Sequence, residues 1–471
     1  MLSDEMLSDK EKRKIFQKAL YILEKVGFEV RNEEALDLLH GAGARVEEER
    51  VYVKPYLVEE ALASAPKYIP VYDRDGELAL ELGSEQNYFG PGSDNPNTID
   101  LESGERRKSR LEDVRNFSQI GDALPNIDFL MSMALPSDVP TELADLYQFK
   151  TMTASARKPF VFTSADNRNT EELFQLAATV TGGREELEEK PFFVQYTEPT
   201  SPLVGSEDAL GRLLLSAEYG VPATYTSGTL PGASSPATPA GTVVMSLAEE
   251  LSGVVISQLK RPGAPVIIGG AASPMDMQTA GASYGLPAAL LIDRALSQVS
   301  KYLDMPVFSE AGFSDSKLLD GQQAMEASIS IAEMARSEAD LIHDVGYLEA
   351  GQTGSLESVV IGDEIIGYVR RVQEGIRLDE EHLALEAIER VGPGGGYITD
   401  KSTLSTFKSL YQPELLDRQS YDGWKRGGGK DLSDRAREKA IEILEEQEPN
   451  RLPREKLEAM EDIIAGKEAE L

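Results

Sequence analysis

The sequence of 471 residues contains no cysteine, one tryptophan and three histidines. Without cysteine the chain cannot form a disulfide, a thiolate zinc site, an iron–sulfur site or a cysteine nucleophile. The three histidines, His40, His343 and His382, leave little material for a histidine-based metal centre. We therefore expect neither a metal ion nor a tightly bound cofactor in this chain.

Basic residues are scarce relative to acidic ones. The chain has 47 Lys and Arg against 81 Asp and Glu, which gives a net charge of −34. Such a charge repels nucleic acid and anionic membranes, so we expect neither as a partner. No apolar run approaches the roughly 18–20 residues that a membrane helix needs. The N-terminus also lacks the apolar segment of a secretory signal, and these features together predict a cytoplasmic protein.

Short apolar runs alternate with helical patterns along most of the chain. The runs begin near residues 128, 159, 191, 222, 265, 306, 341 and 395. Eight buried strands that alternate with helices predict an α/β fold of the (β/α)8 TIM barrel type. An open doubly wound sheet is the alternative, but it rarely has eight units and usually begins with a glycine-rich nucleotide turn, which this sequence lacks.

The segments around these runs suggest three parts. Residues 1–110 predict helices and a β-hairpin that turns at Asp75-Gly76, and we assign them to an N-terminal addition. Residues 111–404 form the predicted barrel. Residues 405–471 contain Trp424 and helical patterns rich in Lys and Glu, which predict a C-terminal helical tail packed on the barrel.

Barrel enzymes place their active sites at the carboxyl ends of the strands. His343 is the sharpest candidate there, because it lies inside the apolar pattern LIHDVGY and is followed by Asp344. An imidazole at this position could bind a substrate carboxylate or act as a general base. A structural histidine bonded to the backbone is the alternative.

Aromatic residues end several of the predicted strands or precede the GPGSDN loop. Their rings attract a quaternary ammonium group, and neighbouring glutamates would add to that attraction, although plain packing is the alternative. The candidate contacts to such a substrate are Tyr88, Phe89, Asn95, Tyr196, Tyr225, Phe313, His343, Tyr347, Glu349 and Gln352.

Two other patterns leave different chemistry open. Glu198 and Glu310 could form the paired carboxylates of a glycoside hydrolase. The run GPGGG at 392–396 lacks the Lys and Ser/Thr of a phosphate-binding P-loop. Its glycines Gly394, Gly395 and Gly396 would still let a flat cofactor approach the backbone closely.

Five segments resemble the trimethylamine methyltransferase family. They are YFGPGSDNPNTIDLESGERR at 88–107, AGFSDSKLLDGQQAMEA at 311–327, HDVGYLEAG at 343–351, the GPGGG run, and LYQPELLDRQSYDGWKRGGGKDL at 410–432. The resemblance implies a (β/α)8 barrel that moves a methyl group from a methylamine or betaine to the Co(I) corrinoid of a separate small protein. The chain shows only standard residue types, so it resembles the members that lack pyrrolysine, and trimethylamine is not the expected substrate.

HDVGYLEAG resembles the subgroup that acts on glycine betaine, in which a histidine at this place meets the substrate carboxylate. The resemblance therefore implies that role for His343 and implies a corrinoid protein as partner. We expect this partner to dock over the barrel loops, with 88–97 and GPGGG near the corrinoid. The family usually has a histidine where Gly396 stands, so a role for that histidine does not carry over. We also expect a homo-oligomer. The alternatives are another betaine, such as proline betaine or carnitine, a methylamine, or a betaine-binding protein without catalysis.

Overall fold

The computed structural model describes residues 5–164, 166–407, 410, 413–446 and 452–470. Its centre is a barrel of parallel strands, as the alternating pattern predicts. In chain order the barrel strands are Tyr88–Pro91, Phe160–Phe162, Phe193–Gln195, Ala223–Thr224, Val266–Ala272, Val307–Glu310 and Leu341–Val345. The short strand Ser227–Thr229 extends the pairing of Val266–Ala272.

An extended segment at 128–131 takes the eighth position of the barrel. Leu130 pairs in parallel with Phe160, and the backbone N–H of Asp128 donates to the carbonyl of Phe89 at 2.7 Å. The last strand pairs with the first through Leu341 and Tyr88, which closes the barrel. A closed ring of parallel strands excludes the open doubly wound sheet.

Two strand predictions need correction, although the number of eight barrel positions holds. The first barrel strand is Tyr88–Pro91, inside the range assigned to the N-terminal addition; all four residues are buried and pair with the last strand. The run near 395 forms no strand. It follows helix Leu385–Val391 with Tyr397 and Ile398 exposed to solvent, so it has no sheet to join. The three-part division at 110 and 404 stays a prediction.

Helices surround the barrel, and several begin at a side-chain cap. Ser206, for example, accepts the N–H of Ala209 at the start of helix Glu207–Tyr219, and Gly220 ends that helix with φ +70°. The helices after the first barrel strand are Leu111–Ala123, Ala144–Ser155, Thr170–Thr181, Arg184–Glu189, Glu207–Tyr219, Pro239–Lys260, Pro287–Tyr302, Gly321–Met334, Leu356–Gln373, Glu380–Leu383, Leu385–Val391, Lys401–Thr406, Tyr421–Arg426, Leu432–Glu446 and Arg454–Glu468. A 3-10 turn spans Thr141–Leu143.

The N-terminal part packs beside this ring of helices. It contains helices Asp9–Tyr21, Glu33–Gly41 and Pro55–Ser64, the π-helical turn Ile22–Val26, and a sheet of Phe28–Val30, Arg45–Glu47, Arg50–Tyr52 and Val204–Gly205. The predicted hairpin is present as Ile69–Tyr72 and Leu78–Leu82. A further small sheet joins Asn97–Ile99, Arg106–Lys108, Tyr347–Leu348 and Thr353–Gly354, and it ties the loop after the first strand to the loop after the last.

The two final helices and the most apolar helix pack against different parts of the barrel. Helix Leu432–Glu446 packs on Leu356–Gln373, and helix Arg454–Glu468 packs on Thr170–Thr181, so the final helices lie on the barrel. Helix Pro239–Lys260 is long and apolar enough to cross a membrane by length and composition. It is 83% buried over its most apolar window, and it packs on Val266–Ala272 and Pro55–Ser64, as a core helix does.

Candidate active site at the barrel mouth

A cavity of about 490 Å³ opens where the carboxyl ends of the barrel strands converge. Its walls carry carboxylates, tyrosines, one histidine and one arginine. These side chains belong to Asp94, Tyr196, Glu198, Arg212, Tyr284, Glu310, His343, Asp344 and Tyr347. The volume suits a small organic molecule.

His343 is held in the cavity wall by its strand and by a neighbouring ring. Its imidazole stacks on Phe308, with the ring centroids 4.4 Å apart and the planes 26° from parallel. Nδ1 lies 2.6 Å from a carboxylate oxygen of Asp344, which follows it in the chain with φ +77°. One ring nitrogen therefore faces a protein carboxylate, and Nε2 is left for another partner.

Glu310 lies beside His343, since the two residues pair in register on adjacent strands. Glu310 is 1% exposed, and neither of its carboxylate oxygens has a hydrogen-bond partner. Burial raises the pKa of Glu310 well above its usual range, and the charges of Asp293 and Asp344 raise it further. The raised pKa favours the protonated carboxyl of Glu310, which can donate one hydrogen bond to a ligand and accept another.

Glu310, His343 and Asp344 each offer a ligand atom, and these atoms lie within 4.8 Å of one another. Two carboxylates and an imidazole form a donor set that suits a divalent ion. The same set can also attract an organic cation, because it places two acidic groups beside a small cavity. A cation of some kind is the ligand that this part of the site fits.

Three tyrosines add aromatic surface to the cavity. The hydroxyl of Tyr196 donates to Glu198 at 2.7 Å, and the hydroxyl of Tyr347 donates to the carbonyl of Ser93 at 2.5 Å. The Tyr284 ring lies 6.5 Å from the Tyr347 ring, nearly perpendicular to it. Tyrosine faces beside carboxylates provide the environment in which a quaternary ammonium binds.

Gly92, in the GPGSDN loop, allows Tyr347 to take this position. A Cβ at residue 92 would lie 2.0 Å from the Tyr347 ring, so any other residue would displace the tyrosine. The close approach of the Tyr347 ring to the backbone therefore requires glycine at position 92. The same loop places Ser93 and Asp94 in the cavity wall.

Asp94 and Arg212 are the other charged groups of the wall. The Asp94 carboxylate accepts hydrogen bonds from Thr163 and Gln148, while burial raises its pKa to about 6. Arg212 is 8% exposed, and its Nε and Nη1 have no hydrogen-bond partner. Burial lowers the pKa of Arg212, against the pull of Asp208 and Glu198.

The structure brings together part of the set that the sequence suggested. His343, Tyr196 and Tyr347 line the cavity, as do Glu198 and Glu310. Seven candidates lie outside the lining: Tyr88, Phe89, Asn95, Tyr225, Phe313, Glu349 and Gln352.

Tyr225 and Tyr88 show how an aromatic residue at the end of a strand can lie away from the cavity. Tyr225 points away from the mouth and packs on helix Pro239–Lys260, where a Cβ at Gly253 would lie 2.1 Å from its ring. Tyr88 begins its strand and lies at the other end of the barrel, where its hydroxyl accepts the N–H of Glu81. Alternate residues of a strand face opposite sides of the sheet, so an aromatic side chain points either into the barrel or out of it. To reach the mouth, it must also lie at the carboxyl end of its strand.

The other five residues support the site or lie at its edge. Phe89 is buried in the core, and Phe313 packs behind Tyr284 at 5.3 Å. Asn95 donates to the carbonyl of Gly351 at 2.6 Å, which links the two loops. Glu349 forms an ion pair with Arg106, and Gln352 is exposed, with its backbone carbonyl bonded to Asn97.

Gly394, Gly395 and Gly396 do not precede a barrel strand and do not line the cavity. They connect helices Leu385–Val391 and Lys401–Thr406, where all three are exposed. A contact between these glycines and a corrinoid stays a prediction.

Three wall residues, Tyr284, Arg212 and Asp94, were not among the candidates suggested by the sequence. Tyr284 is in a loop beyond Val266–Ala272, and Arg212 is on a helix, so no strand-end pattern marks them.

The chain matches known proteins over nearly its whole length. The family model described as trimethylamine methyltransferase (MTTB) matches residues 3–471. A glycine betaine methyltransferase of Desulfitobacterium hafniense (strain Y51) is 32% identical, over 89% of this chain and 88% of the relative. A trimethylamine methyltransferase MttB of Desulfitobacterium hafniense (strain DSM 10664 / DCB-2) is 31% identical, over 98% of this chain and 94% of the relative.

A solved structure agrees with the fold. The monomethylamine methyltransferase of Methanosarcina barkeri superimposes with a TM-score of 0.56 at 11% identity, covering 94% of this chain and 90% of that one. At this identity the likeness supports the barrel architecture alone. The family match over the whole chain, together with relatives above 30% identity, shows that this chain is a methyltransferase of the trimethylamine methyltransferase family.

Proposed function

We propose that the protein transfers a methyl group from a quaternary amine to the Co(I) corrinoid of a separate carrier protein, with glycine betaine as the substrate and dimethylglycine as the product. The observation that carries this proposal is the mouth cavity, whose wall combines the rings of Tyr196, Tyr284 and Tyr347 with acidic side chains. The relatives named above act on glycine betaine or on trimethylamine, by their names.

The acidic composition of the wall supports a positively charged substrate, because a bound cation favours the charged form of a carboxyl. Of the described residues that line the cavity, four are acidic, Asp94, Glu198, Glu310 and Asp344, and none is a lysine. A trimethylammonium group donates no hydrogen bond, so it depends on aromatic faces and carboxylates, each good aromatic contact contributing about 0.5–2 kcal/mol. These contacts strengthen substrate binding and do not lower the barrier to reaction, because the positive charge of the ammonium group decreases as the methyl group leaves.

The chemistry requires little acid–base help from the chain. A quaternary amine leaves as a neutral tertiary amine, so no side chain has to protonate it. The reduced corrinoid supplies the nucleophile that takes the methyl group. The chain's task is to exclude water and to aim one methyl group outwards, and such orientation can contribute several kcal/mol to the rate.

The site fits a corrinoid only at its entrance. A cavity of about 490 Å³ holds a small amine but is too small to enclose a corrinoid ring. The ring therefore has to approach across the mouth, which supports a separate carrier protein docked over the loops at the carboxyl ends of the strands.

His343 is the proposed contact to the substrate carboxylate. Phe308 fixes one face of its ring. Its Nδ1 lies close to Asp344 but forms no hydrogen bond with it, and Nε2 is the atom that we assign to the substrate. A fixed donor of this kind would hold the carboxyl end still while the trimethylammonium end meets the corrinoid.

A substrate panel tests the choice of amine. Glycine betaine, proline betaine, carnitine and trimethylamine are each supplied with Co(I) cobalamin, and the demethylated amine is identified by NMR. The proposal expects the fastest turnover with glycine betaine. Faster turnover with trimethylamine would contradict the assignment of a betaine, and binding without turnover of any amine would favour a betaine-binding protein without catalysis.

A further inference from the structure

Arg212 is a buried cation without an anion beside it. It lies on helix Glu207–Tyr219, is 8% exposed and forms part of the wall of the mouth cavity. Its Nε and Nη1 donate to no acceptor, and among the residues that the structure describes it has no ion-pair partner within 4.0 Å. Removing an unpaired charge from water is costly, so a site of this kind is typical of a guanidinium that awaits an anionic ligand.

The acidic neighbour of Arg212 does not fill this role. Glu198 also lines the cavity, but it lies beyond ion-pair distance and its carboxylate accepts the hydroxyl of Tyr196 at 2.7 Å. Asp208, four residues earlier on the same helix, accepts the backbone N–H of Asn167. A third carboxylate, Asp166, pairs with Arg168. All three attract the guanidinium from a distance without accepting a hydrogen bond from its Nε or Nη1.

We propose that Arg212 binds the carboxylate of the substrate alongside His343 and thereby makes the enzyme select a betaine over a simple methylated amine. This inference rests on the proposed function. The planar guanidinium presents paired N–H donors that match the two oxygens of a carboxylate, a contact that one nitrogen of His343 cannot reproduce.

The distribution of charge in the cavity then fixes how a betaine lies in it. Asp94, whose carboxylate is charged at neutral pH, attracts the trimethylammonium end and repels the carboxylate end. Arg212 does the reverse. A zwitterion consequently has one favourable orientation, whereas a methylated amine without a carboxylate leaves Arg212 buried and unpaired.

Calorimetric titration without corrinoid tests this inference, with glycine betaine and tetramethylammonium as the two ligands. In Arg212→Met we expect the Kd for glycine betaine to rise by roughly 30-fold or more, and the Kd for tetramethylammonium to change by less than about twofold. Arg261→Met is the matched control, since Arg261 pairs with Glu188 outside the cavity, and it should change neither value.

Because Arg212 is unpaired without ligand, Arg212→Met should unfold at the same temperature as the parent protein or higher. Arg212→Lys keeps the charge but not the paired donors, and we expect it to bind glycine betaine with an intermediate Kd. An unchanged Kd for glycine betaine in Arg212→Met, or an equal loss for both ligands, overturns the inference. The titration and the turnover assay with Co(I) cobalamin together separate the two proposals. Arg212-dependent binding without demethylation would contradict only the proposed function, and demethylation with an unchanged Kd would contradict only the role of Arg212.

Discussion

The imidazole of His343 rests on the ring of Phe308, at a centroid distance of 4.4 Å. The two residues lie on adjacent barrel strands, so the stack fixes one face of the histidine, while its Nδ1 lies 2.6 Å from a carboxylate oxygen of Asp344. A substrate contact at Nε2 then depends on a residue that does not itself line the cavity.

The variant Phe308→Leu tests this support. Removing the ring should cost about 1–2 kcal/mol of stability and should also raise KM for the amine, because the imidazole loses its fixed orientation. Phe160→Leu is the control, as Phe160 is 2% exposed and packs on Phe192 away from the cavity. Steady-state kinetics and thermal unfolding of both variants separate the effects; an equal change of KM in both would show that the stack has no special role.

His343→Ala should have the larger effect on catalysis. We expect KM for glycine betaine to rise about tenfold or more and kcat to fall as well, because a loosely held substrate presents its methyl group less often to the corrinoid. His40→Ala serves as control, since His40 is exposed on helix Glu33–Gly41. Normal binding and turnover in His343→Ala would remove His343 from the substrate site.

Asp94 predicts a pH dependence of binding. Its pKa is raised to about 6 by burial, so its carboxylate is charged at neutral pH and loses that charge as the pH falls through 6. The charge of a quaternary ammonium does not change with pH, so Kd for tetramethylammonium should rise several-fold from about pH 7.5 to about pH 5. In Asp94→Asn this part of the rise should be lost, and a pH profile identical to the parent would assign it to other groups.

Gly92 predicts a steric effect. In Gly92→Ala the new Cβ meets the Tyr347 ring at 2.0 Å, so the ring must move away from its contact with Ser93. We expect a loss of about 1–3 kcal/mol of stability and weaker amine binding. Gly41→Ala adds the same methyl group where nothing lies within 4 Å, and it should behave as the parent protein does. Binding by Gly92→Ala as tight as in that control would show that the position of Tyr347 is unimportant.

The sequence was a good guide to the barrel because buried parallel strands leave long-range periodicity in the chain. It misplaced two strands for local reasons. Tyr88–Pro91 follows a few residues after the hairpin, so the sequence pattern assigned it to the N-terminal addition and not to the barrel. The run near 395 has the apolar and glycine composition of a strand, but no neighbouring edge is left once Leu341–Val345 has paired with Tyr88–Pro91.

The candidate site was predictable only where a residue ends a strand and faces inwards. His343, Tyr196 and Tyr347 meet both conditions, while Tyr225 meets the first alone and packs outwards. Arg212 and Tyr284 reach the cavity from a helix and from a long loop. Their position at the cavity depends on tertiary packing, which the spacing of residues in the sequence does not predict.

The central claim is that a quaternary amine gives its methyl group to a reduced corrinoid at this barrel mouth. Its most direct measurement is incubation of the protein with glycine betaine and Co(I) cobalamin, with methylcobalamin followed by absorbance and dimethylglycine by NMR. The account predicts that the two products form in equal amounts and only when enzyme and betaine are both present. Co(I) cobalamin that stays unmethylated with glycine betaine, under conditions in which another substrate does methylate it, would contradict the account.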